Sequence, residues 1–222
     1  MFSEVAEMRE LTWQQTRQML LFVADEIIAQ KPFLTEIDSK IGDGDHGIGM
    51  ETGMKKVKAK LAATQEGTDV YQLLSETGKA MLMSMGGASG VIFGTMFLGG
   101  AKGKTPSATL DCGGMAAWLA DSLAQIQLRG KAEVGDKTMV DALAPAVAAM
   151  QGYDGGDLTV MLRLAEEAAL GGVEATKSYQ AKFGRAKSLM ERAVGYQDAG
   201  ATSVWLILRA MREYTEKAGS EQ

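Results

Sequence analysis

Apolar residues recur along most of the chain every three or four positions, and short polar stretches rich in glycine separate the runs. Met19, Leu20, Val23, Ile27 and Ile28 fall on one side of a helix, since an α-helix returns to the same face about every 3.6 residues. Thr12 predicts the N-cap of that helix, with Gln15 completing a capping box. Pro32 predicts its end near Lys31, because the residue before a proline is pushed out of the α region. Residues 1–10 read as a frayed or helical lead-in. Pro32 to Gly49 reads as one long irregular loop, of the kind that carries function inside compact domains.

The helical pattern resumes at about Gly47–Gly49 and runs through Met54, Val57 and Leu61, with Lys55, Lys56, Lys58 and Lys60 on its wet face. Asp69 caps a helix carrying Leu73, Leu74, Thr77, Met81 and Met83. Val91 to Leu98, after Gly86–Gly90, has the composition of a strand, but its helical surroundings and flanking glycines favour a tightly packed helix. Lys102 to Thr109 is a polar loop, after which Asp111 caps a helix along Met115, Leu119, Leu123 and Ile126. A charged loop from Arg129 to Lys137 leads to a helix through Met139, Leu143 and Val147, capped by Asp136 or Thr138 and kinked or interrupted at Pro145. Gln151 to Gly156 is a turn, and Asp157 caps a helix through Met161, Leu162, Ala165 and Ala169 that ends at Gly171-Gly172. A short helix, a basic loop with Lys182, Gly184, Arg185 and Lys187, a loop from Gly195 to Gly200 and an amphipathic helix from Ala201 to Tyr214 complete the chain. The expected fold is all-α, with about eight helices, no convincing alternating strand, no internal repeat and one domain over residues 1–222. Short connections favour antiparallel neighbours. The Asp-rich loop, the Gly86–Gly90 loop, the Arg129–Asp136 loop and the loops holding Arg185 and Asp198 are then expected at one end.

Composition supports this picture and narrows the partners. The 222 residues can bury a substantial core, and 15 Met against 3 Pro favour helix. A net charge of −5 argues against a nucleic-acid surface. It leaves nucleotide binding open, since a metal ion supplies positive charge locally. Cys112 is the only cysteine, which excludes an internal disulfide and a thiolate-rich zinc site and fits a reducing, cytoplasmic setting. Glu4, Glu7 and Glu10 without a long apolar run argue against a signal peptide, and no apolar stretch approaches a membrane span.

The densest chemistry lies between Asp38 and Met50, where Asp38, Asp43 and Asp45 are interleaved with glycines and with His46, the only histidine. Carboxylates are hard ligands, so magnesium or calcium is the natural partner and zinc is not. An EF-hand fails, because a loop starting at Asp43 puts Ile48 where the turn glycine belongs and Met54 where the closing glutamate belongs. A few aspartates on a glycine-rich loop suit magnesium shared with substrate phosphates, and a solvated acidic turn is the competing reading. His46 can touch a phosphate, orient a water or pack. Gly86–Gly90 can offer backbone N–H groups to an anion or permit close helix packing, and it has neither the Walker ending nor the dinucleotide fingerprint. Lys137 and Arg185 can meet phosphate charge or lie on the surface. Together these parts fit phosphoryl transfer.

Five stretches, in order, resemble the nucleotide-binding L subunit of dihydroxyacetone kinases. They are Ile41–Gly47, Gly86–Gly90, Arg129–Met139, Gly184–Ala186 and Gly195–Ala201, and the resemblance extends over nearly the whole chain. It implies a closed barrel of eight antiparallel helices with the nucleotide at one rim. It implies two magnesium ions held by Asp38, Asp43 and Asp45. ADP or ATP would be lined by His46, Gly47, Ile48, Gly49, Ala88, Ser89, Gly130, Met139, Arg185, Asp198, Ala199 and Gly200. Gly49 and Ala199 depart from the family's usual residues there. The family's K subunit holds the ketone on a histidine, so a chain whose one histidine lies in the metal motif implies a partner K subunit. The resemblance leaves open whether ATP is the substrate or bound ADP is recharged by a phosphotransferase-system protein, and it leaves room for a homodimer. It also leaves open whether the acceptor is dihydroxyacetone, a tetrose or a fatty acid, and whether the chain is instead a nucleotide-loaded regulatory partner.

Overall fold

The computed structural model describes residues 7–220. Its elements are β1 (Glu10–Thr12), α1 (Trp13–Ala29), α2 (Lys31–Ile41), α3 (His46–Ala63), α4 (Val70–Ser84), α5 (Gly87–Leu98), β2 (Thr109–Asp111), α6 (Cys112–Gly130), α7 (Val140–Gln151), α8 (Leu158–Thr176) and α9 (Ala199–Ser220). A 3₁₀ segment, Arg185–Ala193, lies between α8 and α9. The fold is all-α apart from one short antiparallel ladder.

Local chemistry sets most helix starts. Thr12 and Gln15 form the reciprocal capping box. The carboxylates of Asp69, Asp111 and Asp157 accept the Tyr71, Gly114 and Thr159 N–H groups at the starts of α4, α6 and α8. Each cap satisfies a donor that a helix end leaves without an intrahelical partner.

Packing partners run in a cycle. Helix α1 meets α3, α3 meets α4, and each later helix meets its successor until α9 returns to α1. The inward faces form one continuous apolar cluster that includes Leu20, Met54, Leu74, Phe97, Trp118, Leu143, Leu162 and Ile207. Helix α2 lies beside the cycle, against α3, α9 and the 3₁₀ segment. The chain is held from water chiefly by this apolar burial.

Several expectations are corrected. Pro32 does not open a long loop. It sits in the first turn of α2, where a missing N–H and a fixed φ cost nothing, and Leu34, Ile37 and Ile41 bury that helix. The irregular stretch shrinks to residues 42–45. Gly171-Gly172 does not end α8, which continues to Thr176. Gly172 instead allows close approach, since a Cβ there would collide with the Asp141 carbonyl of α7. Helix α7 runs unbroken through Pro145; at its start Thr138 Oγ1 accepts the Val140 N–H at 3.2 Å, while Asp136 is not the cap and Asp141 accepts the Thr138 N–H. Helix α9 starts at Ala199, two residues earlier than the apolar pattern indicates. The ladder pairs Leu11 with Leu110, so the lead-in over residues 1–10 ends in a strand; its first six residues lie outside those described.

Trp118 has no exposed surface, and its indole N–H donates to the Phe97 carbonyl at 2.9 Å. Trp118→Ala is therefore expected to cost about 3–5 kcal/mol, read as a lowered midpoint in urea unfolding. A loss below about 1 kcal/mol would show that the cluster can collapse around the gap.

Candidate functional site

The turn at residues 42–45 is clasped between α2 and α3 and gathers three carboxylates. One oxygen from each of Asp38, Asp43 and Asp45 lies within 4.8 Å of the others. Asp38 projects from the last turns of α2, and its Oδ2 accepts the His46 backbone N–H at 3.2 Å. Partial enclosure and the charges of Asp43 and Asp38 push the Asp45 carboxyl up, while Arg185 pulls it back. Arg185 Nε pairs with Asp43 Oδ2 at 2.9 Å. Three hard oxygen donors this close fit a divalent cation of the magnesium type, which relieves their repulsion.

A cavity of about 860 Å³ opens beside these carboxylates. The starts of four helices reach its wall: Asp45 and His46 of α3, Gly86 to Ser89 of α5, Thr138 and Met139 before α7, and Asp198 to Gly200 of α9. Helix N-termini present unpaired N–H groups and the positive end of the helix dipole, so their convergence suits an anion. The first turn of α5 has no side-chain cap, and Gly87 takes a φ of +67°, which a residue with a Cβ rarely adopts. The same cavity has an apolar side from Met85, Ile92, Phe93 and Phe183.

The expected shared end is therefore present, with one adjustment. Asp38, Asp43, Asp45, His46, Ile48, Gly49, Ala88, Ser89, Met139, Arg185, Asp198, Ala199 and Gly200 all line the cavity. Gly47 and Gly130 do not. Gly47 faces away, where a Cβ would collide with Thr35 Oγ1 and the Lys31 carbonyl. Gly130 is the last residue of α6 and backs onto Ile92, which lines the wall. The Arg129–Asp136 stretch reaches the cavity only through Lys137, Thr138 and Met139, just beyond it. The motifs did not single out Thr52, Ser84, Met85, Ile92, Phe93 and Phe183 as wall residues. Most of these sit inside helical runs, where periodicity marks a face without saying which end of it meets a ligand. Only Ser84 and Met85, just before the Gly86–Gly90 motif, and Phe183, just before the Gly184–Ala186 motif, carried a usable signal.

His46 borders the cavity but is only 8% exposed. Nε2 lies 2.8 Å from Ser203 Oγ, the ring hydrogen-bonds the Ala199 backbone, and Phe93 packs at 5.7 Å between ring centroids. The imidazole therefore bridges α3 to the start of α9. Burial pushes it below the ordinary histidine value, with Asp38 opposing. Asp198 caps α9 through the Ala201 N–H at 2.7 Å. Its carboxyl is enclosed by protein although the residue borders the cavity. Burial pushes it up to about 7, with Asp141 and Asp38 adding to the rise and Ala201 N–H and Lys137 opposing it. Lys137, one of the residues considered for the surface, is buried. Beside it Asp136 is also buried, accepting the Glu133 N–H at 2.8 Å and pairing with Lys182 at 2.6 Å.

Fold and site together define a class of helical protein with a carboxylate cluster and several helix starts converging on one cavity. Residues 40–213 match the DAK2 domain. The chain is 37% identical over 189 residues to the ADP-binding subunit DhaL of the PEP-dependent dihydroxyacetone kinase of Escherichia coli, covering 84% of this chain and 90% of that one. It is 34% identical to the ADP-binding subunit DhaL of the PTS-dependent dihydroxyacetone kinase of Lactococcus lactis, covering 91% and 98%. In structure it is similar to the dihydroxyacetone kinase of C. freundii crystallised with AMP-PNP and Mg2+, with a TM-score of 0.72 and 24% identity over 96% of this chain and 36% of that one. The chain belongs to the DAK2-domain family, in its DhaL branch. Among the described residues no helix is long and apolar enough to cross a membrane.

Because burial lowers its value, His46 stays neutral in the fold while the unfolded chain takes up a proton as pH falls through 6.5. Its share of stability is present above that pH and is lost as pH drops toward the folded-state value. As His46 is the only histidine, its imidazole proton NMR signals are unambiguous. They are expected to titrate with a midpoint below 6.5, and a midpoint above it would contradict the burial.

Proposed function

We propose that this chain is the nucleotide-binding subunit of a dihydroxyacetone-type kinase, one domain that binds ADP or ATP with magnesium. The observation that carries the reading is the placement of the Asp38, Asp43 and Asp45 cluster on the wall of the cavity where the four helices start. Asp38, Asp43 and Asp45 would hold two magnesium ions. Magnesium bound there supplies charge neutralisation for the phosphates. The uncapped start of α5, with Ala88 and Ser89, and the start of α9, with Asp198, Ala199 and Gly200, offer backbone donors to phosphate oxygens. Arg185 can leave Asp43 for a phosphate once a cation takes its place, because the guanidinium is exposed and suited to forked contacts. Met85, Ile92, Phe93 and Met139 give the base an apolar bed. The chain's part is positioning and charge neutralisation more than side-chain acid–base chemistry.

The acceptor is held elsewhere. His46 has its Nε2 hydrogen-bonded to Ser203 and lies beside the carboxylate cluster, which favours a bracing role over bonding a ketone. A partner K subunit holding dihydroxyacetone completes the reaction in this reading. The names of the PEP- and PTS-dependent relatives favour bound ADP recharged by a phosphotransferase-system protein. The continuous apolar cluster and the span of the family match favour one domain for the whole chain, and the cyclic helix packing favours a barrel with the nucleotide at its rim.

Asp43→Asn and Asp45→Asn are each expected to weaken magnesium-dependent ADP binding by at least about 100-fold in calorimetry, on the order of 3 kcal/mol, with folding retained. Wild-type affinity in both variants would refute the site. Dialysis of the purified protein with magnesium gives a second check. ADP is expected to stay bound, and its complete loss would favour ATP as an exchanging substrate.

A further inference from the structure

Lys137 combines three features that rarely occur together. It is 2% exposed, its backbone is left-handed with φ 61°, and its ammonium is spent on main-chain carbonyls. Nζ donates to the Thr176 and Tyr196 carbonyls, each at 2.5 Å. Thr176 ends α8, at the negative end of the dipole, and its carbonyl also accepts the Tyr179 N–H at 3.1 Å. Tyr196 lies just before Asp198, which opens α9. The same stretch is fastened twice more to the end of α8. Gly195 N–H donates to the Lys177 carbonyl at 2.7 Å, and Asp198 N–H donates to Thr176 Oγ1 at 3.0 Å. The loop that presents Lys137 is itself fixed by Asp141, whose carboxylate accepts the Gly135 and Thr138 N–H groups at 2.5 and 2.7 Å.

One ammonium therefore joins three segments distant in sequence: the α6–α7 loop, the end of α8 and the turn that starts α9. Filling this space does not require a charge, since an apolar side chain of similar length would do so without desolvating an ammonium. What the ammonium adds is orientation of two carbonyls. One belongs to Thr176 at the end of α8, and the other to Tyr196, in the turn that continues into Asp198, Ala199 and Gly200 on the cavity wall.

We propose that Lys137 is a positioning residue that fixes the Gly195–Gly200 turn, so that the start of α9 faces the cavity in one geometry, and that it governs nucleotide affinity through this turn rather than through a phosphate contact. The statement about nucleotide rests on the function proposed above, whereas the statement about the turn does not.

Hydrogen–deuterium exchange on the ligand-free protein separates the two. In Lys137→Met, amides of residues 195–202 are expected to exchange about tenfold faster while those of α1 and α4 are unchanged. Lys137→Arg, which keeps the charge, is expected to recover part of the protection. Calorimetry with magnesium and ADP is expected to show about a tenfold loss for Lys137→Met. Wild-type exchange at 195–202 in Lys137→Met overturns the proposal, including the case in which ADP affinity still falls, because that pattern belongs to a direct phosphate contact. Acceleration spread evenly over the chain, or failure of both Lys137→Met and Lys137→Gln to fold, also overturns it, since the residue then supports the whole fold. Faster exchange at the turn with no ADP binding by the wild type supports the turn and overturns the nucleotide reading alone.

Discussion

Three like charges within 4.8 Å repel one another, and the surrounding structure has to hold that repulsion in check. It does so through short-range contacts to neighbouring elements. Asp38 is anchored on a helix and accepts the His46 N–H, and Arg185 sits on Asp43. His46 braces the far side by linking α3 to Ser203 and the Ala199 backbone of α9. Partial enclosure, then the Asp43 and Asp38 charges, raise the Asp45 carboxyl, and a divalent cation among the three would relieve that repulsion.

The cyclic helix packing gives this cluster its setting. With helices arranged around one apolar interior, their starts can meet at one place, and α3, α5, α7 and α9 do so. Each start is weak as an anion site by itself. Four at one cavity, beside carboxylates suited to magnesium, make a site whose positive and negative parts match a metal–phosphate pair. Buried charges away from the cavity mouth serve this arrangement. Asp141 and Asp136 shape the α6–α7 loop, and Lys137 ties that loop to the turn before α9.

Much of this was legible along the chain. Periodicity located the helices because their inward faces are apolar at helical spacing, and Thr12, Asp69, Asp111 and Asp157 cap as their side chains dictate. Of the fifteen candidate site residues, thirteen line the cavity. The misreadings share one cause. Pro32 and Gly172 look like breakers in isolation, but Pro32 falls in a first turn and Gly172 faces the backbone of another helix. Gly47 likewise lies off the cavity wall, packed closely against Thr35 and the Lys31 carbonyl.

The helical class, most helix starts and the hard-oxygen character of the Asp38–Asp45 stretch could be read along the chain, because these depend on neighbours within a turn or two. Tertiary structure decided which loops share a cavity, that Lys137 and His46 turn inward to hold backbone and hydroxyl groups, and that Gly130 stands behind the wall. Those outcomes depend on contacts between residues such as 137, 176 and 196, which only packing brings together.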